Sequence, residues 1–207
     1  MCRWAIPKAK DYFAKVDVLN RPLPFLLTNL DSAILTTRNM NSVVIMGVAG
    51  CGKSSLGGAV SRAMVWQLVE GDDHHSAANR DKMARGVPLT DADRDGWLAT
   101  LCDQLRSLPN GVVLTCSALK LAYRLRLREA APGLRFVFMH IQREQSLQRV
   151  AARGGAHFFS TTLVDDQFTT LEDPTGEPGV LRVDAMEPLS QLQTEVSLWL
   201  RTQKEPA

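Results

Sequence analysis

From Ser42 onward, short runs of apolar residues alternate with longer stretches in which apolar positions recur at helical spacing. SVVIM (42–46) reads as a buried strand, with a helix from Ser54 to Trp66 behind it. QLVE (67–70) is a second, shorter strand; a polar helical region then runs to about Leu108, and Pro109-Asn110-Gly111 makes a turn. VVLTC (112–116) predicts a third strand with a helix over Leu119–Ala130, and RFVFMH (135–140) a fourth with a helix through Arg153. VLRV (180–183) predicts the fifth, followed by an amphipathic helix from Leu189 to Leu200. Strands alternating with helices in this way predict an α/β domain whose parallel sheet is covered on both faces.

Residues 1–41 do not share this rhythm, and RPLPF (21–25) interrupts any continuous element there. They are either a docking extension or residues upstream of a true start at Met40, and the domain proper is 42–207. That segment also carries the basic excess, six Lys/Arg against three Asp/Glu, whereas the remainder holds 18 against 19. The domain therefore has no basic surplus to favour nucleic acid as a partner. No apolar run approaches the roughly 20 residues needed to span a bilayer, and MCRWAIPKAKDYF lacks the pattern of a secretory signal. The cysteines at 2, 51, 102 and 116 are scattered without metal-type spacing, which predicts a reducing, cytoplasmic setting, with Cys116 a plain buried residue.

Immediately after the first strand stands GVAGCGKSS (47–55), which satisfies G-x-x-x-x-G-K-[ST]. Gly47 and Gly52 permit the backbone to turn successive N–H groups toward phosphate oxygens, and Gly50 adds freedom between them. Val48, Ala49, Cys51 and Ser55 complete the predicted nucleotide-binding loop. Lys53 brings a compact positive charge to the β- and γ-phosphates, Ser54 offers a hydroxyl to Mg²⁺, and the following helix aims its positive end at the same anion. ATP and Mg²⁺ are the implied cofactors.

The rest of the chain narrows the kind of nucleotide machine. Asp93–Gly96 matches the Asp-x-x-Gly spacing of a GTPase but lies in a polar helical region, and no guanine-reading Asn-Lys-x-Asp occurs. The third strand ends in Cys116-Ser117 rather than in the aspartate a mechanical ATPase needs. A kinase for a small metabolite remains. In an open parallel sheet, ligands gather at the carboxyl ends of the strands. That rule brings EGDDHHSAAN (70–79) beside the phosphate loop, with Asp72 placed to accept a hydroxyl proton or to hold Mg²⁺ through water. His74 and His75 are adjacent and diverge, and no third ligand stands at a useful spacing for zinc. Thr90 reads as a helix cap with Asp93 three residues on, giving Asp91, Asp93 and Arg94 structural roles first, and Trp66 and Trp97 read as core.

GVAGCGKSS, EGDDHHSAANRDKMARGVPLTDADRDGWL, CSALKLAYR and HFFSTTLVDDQFTTLE together resemble the gluconate kinase family over about residues 42–203, in order. The resemblance implies a three-layer P-loop fold with a five-stranded parallel sheet, nucleoside-monophosphate-kinase-like, with a lid. It implies ATP-dependent phosphorylation of D-gluconate at its 6-hydroxyl, a catabolic step feeding the pentose phosphate pathway, in a cytoplasmic homodimer without membrane association. Carried over by position, it assigns Lys53 and Asp72 to catalysis, and Asp72, His75, Asn79, Lys82, Ser117, Lys120, Arg124, His157 and Gln167 to the acceptor. Ser54 and Asp72 are the metal's residues. Lys120 and Arg124 stand four apart, and either can meet the acceptor's carboxylate. Arg149 and Arg153 share a helix face suited to a closing lid that neutralises the moving phosphoryl group.

Three departures from the family pattern stand out. Glu70 replaces the usual aspartate of Asp-Gly-Asp, Ser76 stands where proline is common, and Gly154-Gly155-Ala156 is one residue longer than the usual spacing before His157. The rival readings are a kinase of this architecture for another hydroxy acid such as shikimate, and a non-catalytic ATP-binding module.

Overall fold

Val43, Val44, Ile45 and Met46 have no solvent exposure and form β1 (Val43–Met46), the middle strand of a five-stranded parallel sheet. This is a computed structural model, which describes residues 42–108, 111–152 and 161–202, with the side chain of residue 161 excepted. The other strands are β2 (Gln67–Glu70), β3 (Val112–Thr115), β4 (Arg135–His140) and β5 (Val180–Asp184), in the spatial order β2-β3-β1-β4-β5. Val43 pairs with Val113 on one side and Arg135 on the other, so the chain leaves β1 first toward β2 and β3 and later toward β4 and β5. That reversal opens a crevice at the carboxyl ends of the central strands.

The described helices are α1 (Lys53–Met64), α2 (Ala77–Ala84), α3 (Asp91–Ser107), α4 (Leu121–Ala130), α5 (Arg143–Ala152), α6 (Thr161–Thr170) and α7 (Leu189–Thr202). The period-2 alternation of β1 sends its side chains to two different cores. Val44 and Met46 pack with Trp97, Leu101, Leu105 and Leu127 under α3 and α4. Val43 and Ile45 pack with Leu56, Val60, Leu192 and Val196 under α1 and α7. Both faces are covered, as the uninterrupted apolar strands predict.

The ends of the elements differ from the periodic reading for identifiable reasons. Helix α1 stops at Met64 rather than Trp66 because Val65 takes the left-handed conformation (φ 56°, ψ 40°), its N–H donating to the Ser61 carbonyl. A β-branched residue is strained there, and Val65 is 87% exposed, so no packing offsets the strain. Val65→Gly is expected to raise unfolding stability by about 1 kcal/mol in denaturant titrations. Helix α4 starts at Leu121 rather than Leu119 because Ala118 is also left-handed (φ 44°) and Lys120 serves as the N-cap. Helix α6 has no counterpart among the elements read from periodicity. Its threonines and paired aspartates are weak helix formers, and burial of Leu163 and Val164 holds it. Residues 1–41 lie outside the described residues.

Candidate active site

The N-cap of α1 is Gly52, left-handed at φ 101°, and no side chain caps this helix end. The first helical bond runs from the Leu56 N–H to the Gly52 carbonyl, 3.1 Å. The N–H groups of Lys53, Ser54 and Ser55 therefore have no helical acceptor and are free to bind an anion. Lys53 folds back across the loop, its Nζ donating to the Val48 carbonyl at 3.0 Å. The loop's first residue is tied to the far side of the crevice, where the Gly47 N–H donates to the Ser117 carbonyl at 3.3 Å.

Beside the loop, Ser54 Oγ donates to Glu70 Oε2 at 3.0 Å, and Thr115 Oγ1 donates to the same carboxylate oxygen. The longer acid at position 70 thus reaches the Ser54 hydroxyl at the start of α1. A hydroxyl and a carboxylate side by side, with solvent access at Ser54, are hard oxygen donors that fit Mg²⁺. Asp72 follows on a short 3-10 turn (Gly71–His74). Gly71 is required there, since a Cβ would overlap the Thr115 carbonyl oxygen, and Trp97 Nε1 pins the turn by donating to the Gly71 carbonyl at 2.7 Å. Asp72 is exposed, and among the described residues no ion pair engages it.

One cleft is lined by Lys53, Asp72, His75, Ser117 and Gln167 from the predicted set. The phosphate loop and the acidic corner therefore face each other, as the sheet rule requires. His75 is 7% exposed, stacks on Trp97 (ring centroids 4.6 Å apart, planes 10° apart), and its Nδ1 has no described partner. Burial holds the imidazole below its ordinary pKa against the opposing pull of Asp72, which favours the neutral ring. Ser76, in place of the family's proline, caps α2 by accepting from the Asn79 N–H at 3.1 Å. Cys116, beneath the cleft, is a buried thiol pushed up to about 12 by burial.

The cleft also contains Arg94 and Asp166, which the sequence reading left out of the site. Arg94 donates one N–H to the Leu89 carbonyl and retains further donors of its guanidinium. A signal for both was present in helical spacing. Arg94 stands one turn before inward-facing Trp97, and Asp166 shares a face with Leu163 and Gln167.

Other assigned residues are placed elsewhere. Arg124 is 1% exposed and turned into the fold, where Nε meets both Glu177 oxygens at 3.0 and 3.1 Å. Its Nη1 donates to the Ala118 and Leu119 carbonyls, 2.9 Å each. It braces the left-handed turn that presents Ser117 and has no donor facing the cleft. Lys120 is held by both carboxylate oxygens of Asp91, at 2.7 and 2.8 Å. Both cations are thus paired with carboxylates, and neither lines this cleft. Asn79 and Lys82 converge on Asp93, through its carbonyl at 2.8 Å and its carboxylate at 2.6 Å. Asp93 also completes the Thr90 capping box, and its contacts, Lys82 first, hold it down to about 2. Arg149 is half-buried on α5 and does not line this cleft, while Arg153 and His157 lie outside the described residues.

No family model matches the chain. The chain is similar to a gluconokinase from Gluconobacter oxydans, 41% identical over 144 residues that cover 68% of this chain and 80% of that protein. Among solved structures it is similar to a gluconokinase from Sinorhizobium meliloti, at 44% identity and a TM-score of 0.73, covering 80% of this chain and 94% of that one. Likeness to a shikimate kinase from Aquifex aeolicus, at 16% identity and a TM-score of 0.57 over 77% of this chain and 96% of that one, is of fold alone.

Proposed function

The chain belongs to the gluconokinase family, and we propose accordingly that it transfers the terminal phosphoryl group of ATP to the 6-hydroxyl of D-gluconate, giving 6-phosphogluconate and ADP. The observation that carries this reading is the cleft in which Lys53 of the phosphate loop and Asp72 both stand. Asp72 takes the proton of the attacking hydroxyl. Lys53 and the free N–H groups at the start of α1 balance charge on the phosphoryl oxygens, and exclusion of water strengthens each contact. Mg²⁺, when bound, would neutralise the terminal phosphates; Ser54, Glu70 and Asp72 are the residues that would hold it.

The acceptor's carboxylate is assigned to Arg94. Lys53 serves the phosphates, and Lys120 and Arg124 are engaged by Asp91 and Glu177, which leaves Arg94 as the free cation among the residues that line the cleft. Ser117, His75 and Asp166 are small polar partners for the acceptor's hydroxyls. Arg149, three residues after the loop-contacting Ser146, is assigned to the moving phosphoryl group. Arg153 as a lid cation and His157 in its family role at the acceptor stay part of the proposal, and so do a homodimeric assembly and a cytoplasmic location.

The test is ADP release measured over a panel of sugar acids and shikimate. Gluconate is expected to stimulate it far above the others. Arg94→Gln is expected to raise KM for gluconate by about 10- to 100-fold while KM for ATP stays near wild type. Equal stimulation by shikimate, or no acceptor-dependent release, would reject the assignment.

A further inference from the structure

The peptide unit of Ala49, in the middle of the phosphate loop, is gripped from two helices. Its N–H donates to Gln167 Oε1 of α6 at 2.6 Å in a buried setting. Its carbonyl accepts from Ser146 Oγ of α5 at 2.7 Å, and Ser146 is fully buried. Helix α5 also lies directly on the next residue, since a Cβ at Gly50 would stand 3.0 Å from the Ser146 carbonyl oxygen and 3.1 Å from a Val150 methyl. The two helices are tied to each other through Arg143, whose guanidinium meets Asp165 at 2.7 and 2.9 Å.

Gln167 belongs to both halves of the site. A backbone N–H must meet the amide's oxygen, which fixes that oxygen on the loop. The same side chain lines the acceptor cleft, and so do Asp166 and Leu163 from the same face of α6. A shift of the Ala49 peptide when phosphate enters the loop is therefore transmitted to the acceptor wall through one hydrogen bond. The reverse holds as well, because coupling between two sites is reciprocal.

We propose that Gln167 is a positioning residue that couples nucleotide binding to acceptor binding through its hydrogen bond to the Ala49 N–H. The inference rests on the gluconate reading for the identity of the acceptor, not for the existence of the link.

Isothermal titration of the full chain tests it. Gluconate is titrated with and without a non-hydrolysable ATP analogue, and the analogue with and without gluconate. For wild type, each ligand is expected to tighten the other by one common factor, within the range of about 5- to 150-fold. Gln167→Met keeps the length and loses the acceptor; it is expected to bring the factor close to one, whatever it does to the affinity of each ligand alone. A factor unchanged in Gln167→Met, or a gluconate affinity weakened equally with and without the analogue, would overturn the proposal, the latter marking a plain substrate contact. Amide hydrogen exchange on wild type is independent of how the variant folds. Gluconate alone should slow exchange at Ala49, and unchanged exchange with gluconate bound would also overturn the link. Absence of gluconate binding in every titration would reject the functional reading and this inference together, whereas intact binding with a wild-type factor near one rejects the inference alone.

Discussion

Asp72→Asn is expected to fold as the parent does and to lose about 10²- to 10⁴-fold in kcat, the range for removing a positioned general base. The substitution is nearly isosteric at an exposed residue that no ion pair engages among the described residues. Nothing in the packing therefore opposes it. The turn that carries the residue is held by Gly71 against β3 and by the Trp97 indole, neither of which senses charge at position 72. KM for ATP should change little, because the phosphate contacts come from Lys53 and the start of α1. Steady-state kinetics with gluconate as acceptor, beside a thermal melt, separate the outcomes. A kcat within about tenfold of wild type would remove Asp72 from the proton-transfer step.

Arg124→Met is expected to destabilise the domain by about 3 kcal/mol, the lower end of the range for breaking a buried ion pair. The lower end applies because Glu177 keeps Arg128, whose Nη1 lies 2.9 Å from it. Burial works to raise the Glu177 pKa, yet hydrogen bonds from Arg124 and Arg128 outweigh it and hold the group below its ordinary value. Loss of Arg124 also strands the carbonyls of Ala118 and Leu119 at a turn where Ala118 already sits at φ 44°. Activity should fall with stability, since that turn carries Ser117 and receives the Gly47 N–H. Arg124→Lys should not rescue, as an ammonium cannot span four acceptors with a fixed fork. Urea titration decides the matter: unchanged stability with a raised KM for gluconate alone would return Arg124 to the substrate.

These two residues illustrate what could be read before the fold was known. Asp72 is legible from its place after β2, which depends on the direction of a parallel sheet and on the loop before α1. Lys120 and Arg124 take their acceptor roles from the family resemblance, and their spacing of four adds only that two side chains share a face, not what that face meets. In the structure Lys120 is the N-cap and turns to Asp91, while Arg124 points inward to Glu177. Arg94 shows the converse. Its neighbours Thr90 and Asp93 mark a helix cap in the sequence, but a cap does not say that Arg94, on the same turn, lines the cleft.

The residues alone determined the alternation of strands and helices, the anion-binding turn at 47–54, the cap at Thr90 and the family. Each depends on backbone conformation, burial period or contacts within a few positions, so each leaves a local trace. Tertiary structure decided which cations line the cleft and which are paired with carboxylates, and it joined α6 to the phosphate loop through Gln167. Those outcomes turn on partners 53 and 118 residues apart, Arg124 with Glu177 and Ala49 with Gln167. A charge or an amide is satisfied by whatever group folding carries to within hydrogen-bonding reach, and no spacing along the chain encodes that distance.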